Sequence, residues 1–232
     1  MAALVWAPLA RLRTRDAAVS SPVRVRGDRR AWVLAGMFAC QTLLGFALLA
    51  WTPKILHDSG LGQGEAGVLA AIVMTLGIPS AVLAPLALAR GGVTRGIVIA
   101  ASVPWWAGLA GLLWSPATGT VVWTVLLGLG QGAGFALPLS LIVLQSRDSR
   151  HAAALSGMVQ GIGYVFGGLL GPLAIGALHD STGGWEAPLV VLMAVVGAQL
   201  ALGLAVVSSS ASARTGTRGS GAACPRPADT SL

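Results

Sequence analysis

Charged residues are scarce in this sequence of 232 residues: they make up 10% of the chain, whereas 55% of it is hydrophobic. A water-soluble domain carries about 25% charged residues, so this composition excludes one. The apolar residues also come in long continuous blocks, without the alternation that is typical of barrel strands or the period of amphipathic helices. The sequence therefore predicts an all-α membrane protein.

Cysteines are few, and clusters of reactive side chains are absent from the sequence. The two cysteines are Cys40, inside a hydrophobic block, and Cys224, in a polar tail, and the predicted topology keeps them apart. We therefore expect no disulfide. His, Cys, Asp and Glu nowhere recur with the spacing of a metal site or of a nucleophile and its base. The sequence predicts no metal, no cofactor and no enzymatic activity.

Six apolar blocks are long enough to cross a membrane, which takes about 20 helical residues for a hydrocarbon core of about 30 Å. None has a charged residue or a histidine in its interior. We predict one transmembrane domain over residues 31–207, with six spans at residues 32–51, 66–89, 97–114, 119–144, 152–178 and 187–207.

The positive charges predict the orientation of these spans. Of the fifteen Lys and Arg residues, fourteen lie before the first span, in the second and fourth loops, or in the tail, and the exception is Lys54. The positive-inside rule then places both chain ends in the cytoplasm, for a multi-pass protein of the plasma (inner) membrane. Because the arginines form no single basic face, no nucleic-acid partner is expected.

The two ends of the chain differ from the spans. Residues 1–10 are apolar but too short to cross the membrane, and arginines follow them rather than precede them as in a signal peptide. We interpret residues 1–30 as the end of a preceding helix and a basic cytoplasmic segment, so that Met1 lies inside a longer functional protein. Residues 208–232, rich in Ser, Ala, Gly and Arg, are predicted to be a disordered cytoplasmic tail.

The fifth predicted span carries two stripes. One is smooth, because glycine recurs every four residues and lets a second backbone come close. The predicted helix-packing residues of this span are Gly157, Gly163, Gly167 and Gly171. The other stripe is polar and is made of Ser156, Gln160 and Tyr164, also four residues apart.

Polar side chains in three spans are expected near the middle of the bilayer, where transporters commonly bind substrate. Gln41, Gln131 and Tyr164 should share this depth, with Gln160 about one turn closer to the cytoplasm. Amides both donate and accept hydrogen bonds, which suits a small polar or anionic solute, so these four are the candidate substrate-binding residues. The alternative is that they bridge helices by hydrogen bonds of about 0.6 kcal/mol each, and both readings stay open for each residue.

Lys, Arg, Asp, Glu and His are missing from the span interiors, although a proton-coupled carrier needs a titratable group of this kind within the membrane. Either a coupling group belongs to a partner domain, or the protein is a facilitator.

Three stretches resemble the major facilitator superfamily, and more narrowly its cyanate/2-nitroimidazole transporter group. They are Gln41 with the WTPKIL motif of residues 51–56, the GLGQGAGF motif of residues 128–135, and LSGMVQGIGY at residues 155–164 continuing through Gly171-Pro172 to the LHDSTGGW motif of residues 178–185. The resemblance covers about residues 31–207. It implies the C-terminal half of a twelve-helix fold, in which two six-helix halves enclose the solute path and transport by alternating access.

The resemblance also implies a partner. One six-helix half cannot enclose a two-sided path, so the chain would need the missing N-terminal half or a second copy of itself. Ala89 replaces the acidic residue of the superfamily's cytoplasmic loop motif, which is expected at residues 90–95. The alternative interpretation is a truncated, non-transporting membrane fragment or a helical assembly subunit.

Overall fold

A computed structural model of the protein describes residues 27–90, 94–116 and 118–219. Predictions on residues 1–26 and 220–232 lie outside these ranges. The helices, in chain order, are α1 (Arg29–Asp58), α2 (Gln63–Ala89), α3 (Thr94–Trp114), α4 (Thr120–Gln145), α5 (Ser149–Gly163), a π-helical turn (Tyr164–Leu169), α6 (Leu170–Thr182) and α7 (Glu186–Gly219).

Six of the described helical stretches are long and apolar enough to cross a membrane, which confirms the six predicted spans. The fifth of them is α5, the π turn and α6 in continuous succession, Ser149–Thr182, and is called the fifth span below. All regular structure among the described residues is helical. Prolines lie inside α1, α2, α3 and α4 without ending them, as packing in a membrane allows.

The last helix differs from the prediction of a tail starting at residue 208. Its membrane-capable part ends at Ser208, but α7 continues as helix to Gly219. The sequence has no proline between Pro188 and Pro225, so nothing in this stretch removes a main-chain N–H from the helical ladder.

Two helices form the centre of the bundle. Helix α1 packs against α2, α4, α7 and the whole fifth span, and α4 packs against α1, α2, α3 and α5. The most apolar stretches of α1 and α4 are 56% buried, compared with 28% for those of α2, the fifth span and α7. The peripheral helices therefore present apolar side chains to the outside of the bundle, as expected for lipid contact.

The π turn lies just before Pro172 in the fifth span. Proline lacks an N–H and its ring collides with the carbonyl four residues earlier, which here belongs to Gly168. Gly168 lies inside the π turn, Tyr164–Leu169. The turn is also fastened to α1, since Thr42 Oγ1 donates to the Gly163 carbonyl at 2.7 Å.

The C-terminal end of α1 is hydrogen-bonded both to α6 and to the turn between α6 and α7. Trp51 Nε1 donates to the Pro172 carbonyl at 2.8 Å. Asp58 Oδ2 accepts from Lys54 Nζ at 2.7 Å and from Trp185 Nε1 at 2.9 Å. Parts of two sequence stretches that carry the family resemblance, residues 51–56 and 178–185, thus meet at one end of the bundle.

Candidate functional site

Two glutamines lie at the crossing of α1 and α4. Gln41 on α1 donates from Nε2 to the side-chain Oε1 and the main-chain oxygen of Gln131 on α4, at 3.1 and 3.2 Å. Each side-chain amide occupies space that is free because the residue facing it on the opposite helix is a glycine. A Cβ on Gly134 would clash with Gln41 Oε1, and one on Gly45 would lie 2.5 Å from Gln131 Nε2. Two reciprocal amide–glycine contacts therefore join these central helices.

A third glutamine extends this pair to α7. Gln199 Nε2 donates to Gln41 Oε1 at 2.8 Å, and both side chains are buried. We call Gln41, Gln131 and Gln199 the amide network. Gln41 is 0% exposed, gives two hydrogen bonds from its amide nitrogen and accepts one on its oxygen. It has no donor left to offer a solute.

An open cavity of about 160 Å³ adjoins the amide network. This volume is below that of sites for drug-sized ligands, about 300–1,000 Å³, so the cavity has room for a small solute only. None of the lining residues is charged. They come from α1, α2, α4 and the start of the π turn: Gln41, Thr42, Gly45, Phe46, Leu49, Met74, Gln131, Phe135 and Tyr164.

Two residues that line this cavity each have a hydrogen-bond donor without a partner among the described residues. The amide nitrogen of Gln131 is not used within the network, where only its oxygens accept. Tyr164 is 41% exposed, and its hydroxyl makes no hydrogen bond to the described residues. Its ring is fixed edge-on against Phe38 and Phe46, with ring centroids 5.4 and 6.2 Å apart. The cavity thus combines two polar groups with apolar walls.

The structure brings Gln131 and Tyr164 to the cavity together with Gln41, but not Gln160. Gln160 does not line the cavity, and its Nε2 donates to Ser156 Oγ at 2.5 Å along the same helix. It lies one turn before Tyr164, so its side chain reaches its own helix rather than the recess next to the π turn.

The glycines of the fifth span also divide. A Cβ on Gly163 would clash with the Phe38 ring, one on Gly167 would clash with Thr42 Oγ1, and one on Gly171 would lie 2.9 Å from the Leu43 carbonyl oxygen. These three glycines therefore lie directly against α1. At Gly157 nothing comes within 4 Å of that position.

Gly157 differs from the packing role predicted for it, since it is exposed. It precedes Gly163 by six residues, which in a helix of 3.6 residues per turn places it on another face. Only the other three glycines are spaced four residues apart and share one face.

Sequence reasoning missed Gln199, Gly45 and Gly134. Gln199 is the one polar side chain within residues 187–207, so the argument that found Gln41 and Gln131 could also have found it. Gly45 follows Gln41 by four residues and Gly134 follows Gln131 by three, which puts each glycine beside the glutamine on its helix face. That each glycine receives the amide of the other helix depends on how the helices cross, which a single sequence does not show.

Metal ligands do not converge in the described ranges: no group of three or more His, Cys, Asp or Glu side chains comes together there. Six membrane-capable helices around a buried amide network and an uncharged cavity define the chain as a multi-pass α-helical membrane protein.

Known proteins similar to the chain are transporters. The uncharacterised transporter YycB of Bacillus subtilis (strain 168) is 34% identical over 201 residues, which are 84% of this chain and 49% of that protein. The 2-nitroimidazole transporter of Escherichia coli (strain K12) is 31% identical over 207 residues, 85% of this chain and 52% of that protein. The cyanate transport protein CynX of the same organism is 33% identical over 166 residues, 72% and 43% of the two chains.

No family model matches the chain. The chain is nevertheless a relative of the cyanate and 2-nitroimidazole transporters, by the identities above. It spans about half the length of the curated relatives it matches.

Proposed function

We propose that the chain is half of a transporter that moves a small polar or anionic solute across the membrane by alternating access. The cavity next to the amide network is its contribution to the solute path. The observation that carries this proposal is the pair of unengaged donors, Gln131 Nε2 and the Tyr164 hydroxyl, in a recess without charged side chains.

The chemistry of the cavity favours solutes with hydrogen-bond acceptors. Both groups offer N–H or O–H, which stabilise the lone pairs of an anion or of a polar neutral molecule. A cation would find no carboxylate among the lining residues. The side chains of Phe46, Leu49, Met74 and Phe135 supply apolar walls for the remaining surface of the solute.

The names of two relatives supply test solutes of this kind, cyanate and 2-nitroimidazole. Cyanate is a small linear anion, and 2-nitroimidazole is a flat ring with nitro oxygens, so both offer acceptor atoms to the two donors. We choose these two compounds as the solute panel.

A second six-helix unit would complete the path. We infer that the chain is the C-terminal half of a twelve-helix major facilitator fold, and that the N-terminal half, or a second copy of the chain, covers the open side of the cavity. Two facts support this inference: the cavity is open, and the relatives are about twice as long as the matched segment.

We further infer that both chain ends face the cytoplasm of a plasma (inner) membrane, because fourteen of the fifteen basic residues lie in the segments on that side. Thiol labelling of Cys224 in whole cells tests this orientation. A membrane-impermeant reagent should label it only after the cells are permeabilised, and labelling of intact cells would contradict the inference.

Uptake by the purified intact protein in proteoliposomes tests the transport proposal. We expect saturable uptake of at least one solute of the panel and inhibition by the other. Empty liposomes are the control. If neither compound enters faster than in the control, the proposed class of solute is wrong.

The alternative, a non-transporting membrane fragment or assembly subunit, is tested by the mass of the native polypeptide in host membranes. A species of about twice the 23.4 kDa of this chain supports the two-half transporter. A species of 23.4 kDa that neither pairs with a second subunit nor moves either solute supports the alternative.

A further inference from the structure

One buried donor close to the amide network has no hydrogen-bond partner among the described residues. Trp105 on α3 is 1% exposed, and its indole Nε1 is buried without a hydrogen-bond partner among the described residues. A buried N–H that stays unpaired destabilises a fold about as much as a lost hydrogen bond. The position of this indole therefore calls for an acceptor.

A second, much smaller cavity lies beside Trp105 and has room for about one water molecule. Its polar lining consists of Trp105 and Ser102 from α3 and Gln199 from α7, and Gly134 of α4 forms part of its wall. Gly134 keeps this region open, because a Cβ there would clash with Gln41 Oε1 and lie 3.1 Å from Trp105 Nε1.

We propose that this cavity binds one ordered water molecule. The water accepts from Trp105 Nε1 and donates to Gln199 Oε1, whose amide nitrogen is already engaged with Gln41. Ser102 Oγ, which donates to the Val98 carbonyl at 3.0 Å, retains a lone pair for the second hydrogen of the water. All partners that a buried water needs are thus present.

Other occupants fit this cavity less well. A cation would face the indole N–H, and no acidic side chain lines the cavity. An anion would lie without a neighbouring positive charge. An empty cavity would leave the indole unpaired, although buried polar groups are nearly always hydrogen-bonded.

The bound water connects the amide network, which joins α1, α4 and α7, to a fourth helix, α3. Hydrogen bonds then run from Trp105 through the water to Gln199, Gln41 and Gln131, that is, from α3 to the edge of the large cavity. The water holds the Gln199 amide from the side opposite Gln41. This inference concerns the folded bundle and stands whether or not the protein transports either test solute.

A structure of the intact protein at a resolution that shows ordered waters is the direct test. We expect density for one water within hydrogen-bonding distance of Trp105 Nε1 and of the Gln199 amide. An empty cavity, or a direct hydrogen bond from Trp105 Nε1 to Gln41 Oε1, would overturn the proposal.

Thermal unfolding of the intact protein gives a second test, in which Trp105→Phe and Gln199→Leu are combined. If a water joins the two side chains, the melting temperature of the double variant falls by less than the sum of the decreases in the two single variants. Trp105→Phe with Thr75→Val is the control pair and should be additive, because Thr75 is exposed on α2 and bonds to its own helix at Ala71. Additive losses in the first pair would contradict a shared water.

Ser102→Val serves if either of these variants fails to fold. Valine fills the small cavity with methyl groups. We expect a lower melting temperature, because the variant expels a hydrogen-bonded water. An unchanged or higher melting temperature would show that the cavity was empty.

Discussion

The fifth span has two faces that meet the rest of the protein in different ways. On one face Gly163, Gly167 and Gly171 let the backbone lie directly on α1, with no room for a side chain. On the other face Tyr164 is 41% exposed and borders an open cavity. The π turn contains one residue of each face, Tyr164 and Gly167.

This difference separates packing from solute contact within a single helix. An added side chain on the glycine face would meet the Phe38 ring at Gly163 and the main chain of α1 at Gly167 and Gly171, so it must displace part of α1. Tyr164 touches the aromatic rings of α1 but leaves its hydroxyl unengaged. We therefore expect substitutions on the first face to affect folding, and substitutions on the second to affect transport alone.

Gly167→Leu should have the largest effect. The new side chain would start at a position that clashes with Thr42 Oγ1 and lies 2.5 Å from the Ala39 carbonyl oxygen. Overpacking of this kind destabilises a protein by about 1–3 kcal/mol or more. We expect much less folded protein in the membrane, measured by fluorescence-detected size-exclusion chromatography. Gly157→Leu is the matched control and should be harmless; equal damage from both variants would remove the distinction between the faces.

Gln41→Leu should come second, because it removes the centre of the amide network. Gln199 Nε2 would lose its acceptor and Gln131 Oε1 its donor. Hydrogen bonds between membrane helices contribute about 0.6 kcal/mol each and up to about 1.7 kcal/mol. We expect a loss of stability of about 1–2 kcal/mol, seen as a lower melting temperature, with weaker uptake as a consequence. A variant of unchanged stability would show that the network does not hold the helices together.

Tyr164→Phe should reduce uptake without affecting folding. The variant keeps the ring between Phe38 and Phe46 and removes only the hydroxyl. Loss of one hydrogen bond of about 0.5–1.5 kcal/mol corresponds to about a two- to tenfold weaker interaction with the solute. Initial uptake rates at low solute concentration measure this loss. The control is Phe166→Leu on the exposed apolar surface, which should transport normally.

Gln160→Ala should have the smallest effect. Its amide bonds to Ser156 within the helix and does not line the cavity. We expect uptake within about twofold of the parent protein, since one hydrogen bond within a single helix contributes little. A loss of uptake as large as that of Tyr164→Phe would show that Gln160 contacts the solute, as the spacing of the polar stripe alone predicts.

Much of the fold could be predicted because it follows from segment length and hydropathy. Continuous apolar blocks indicated six spans. A shared depth was predicted for Gln41 and Gln131, and the structure shows that the two side chains are also in contact. The rest depends on the crossing of helices. Hydropathy does not show how each helix is rotated about its axis or shifted along its neighbour. Rotation and register decide the reciprocal contacts at Gly45 and Gly134, the hydrogen bond from Gln199, and the separation of Gln160 from the cavity.

The π turn shows the same limit on a local scale. The apolar block of residues 152–178 predicts one continuous span and no π turn. The turn begins next to Gly163, whose carbonyl accepts a hydrogen bond from Thr42 of α1, and the sequence of the fifth span alone does not show this contact.

Thiol labelling in the large cavity tests the central claim most directly, with Leu49→Cys in an intact protein whose Cys40 and Cys224 are replaced by serine. We predict that a membrane-impermeant thiol reagent modifies this position, that a transported solute of the panel slows the reaction, and that Leu173→Cys on the exposed apolar surface does not react. An unreactive position 49, or a reaction rate that the solute leaves unchanged, would contradict the assignment of this cavity to the solute path.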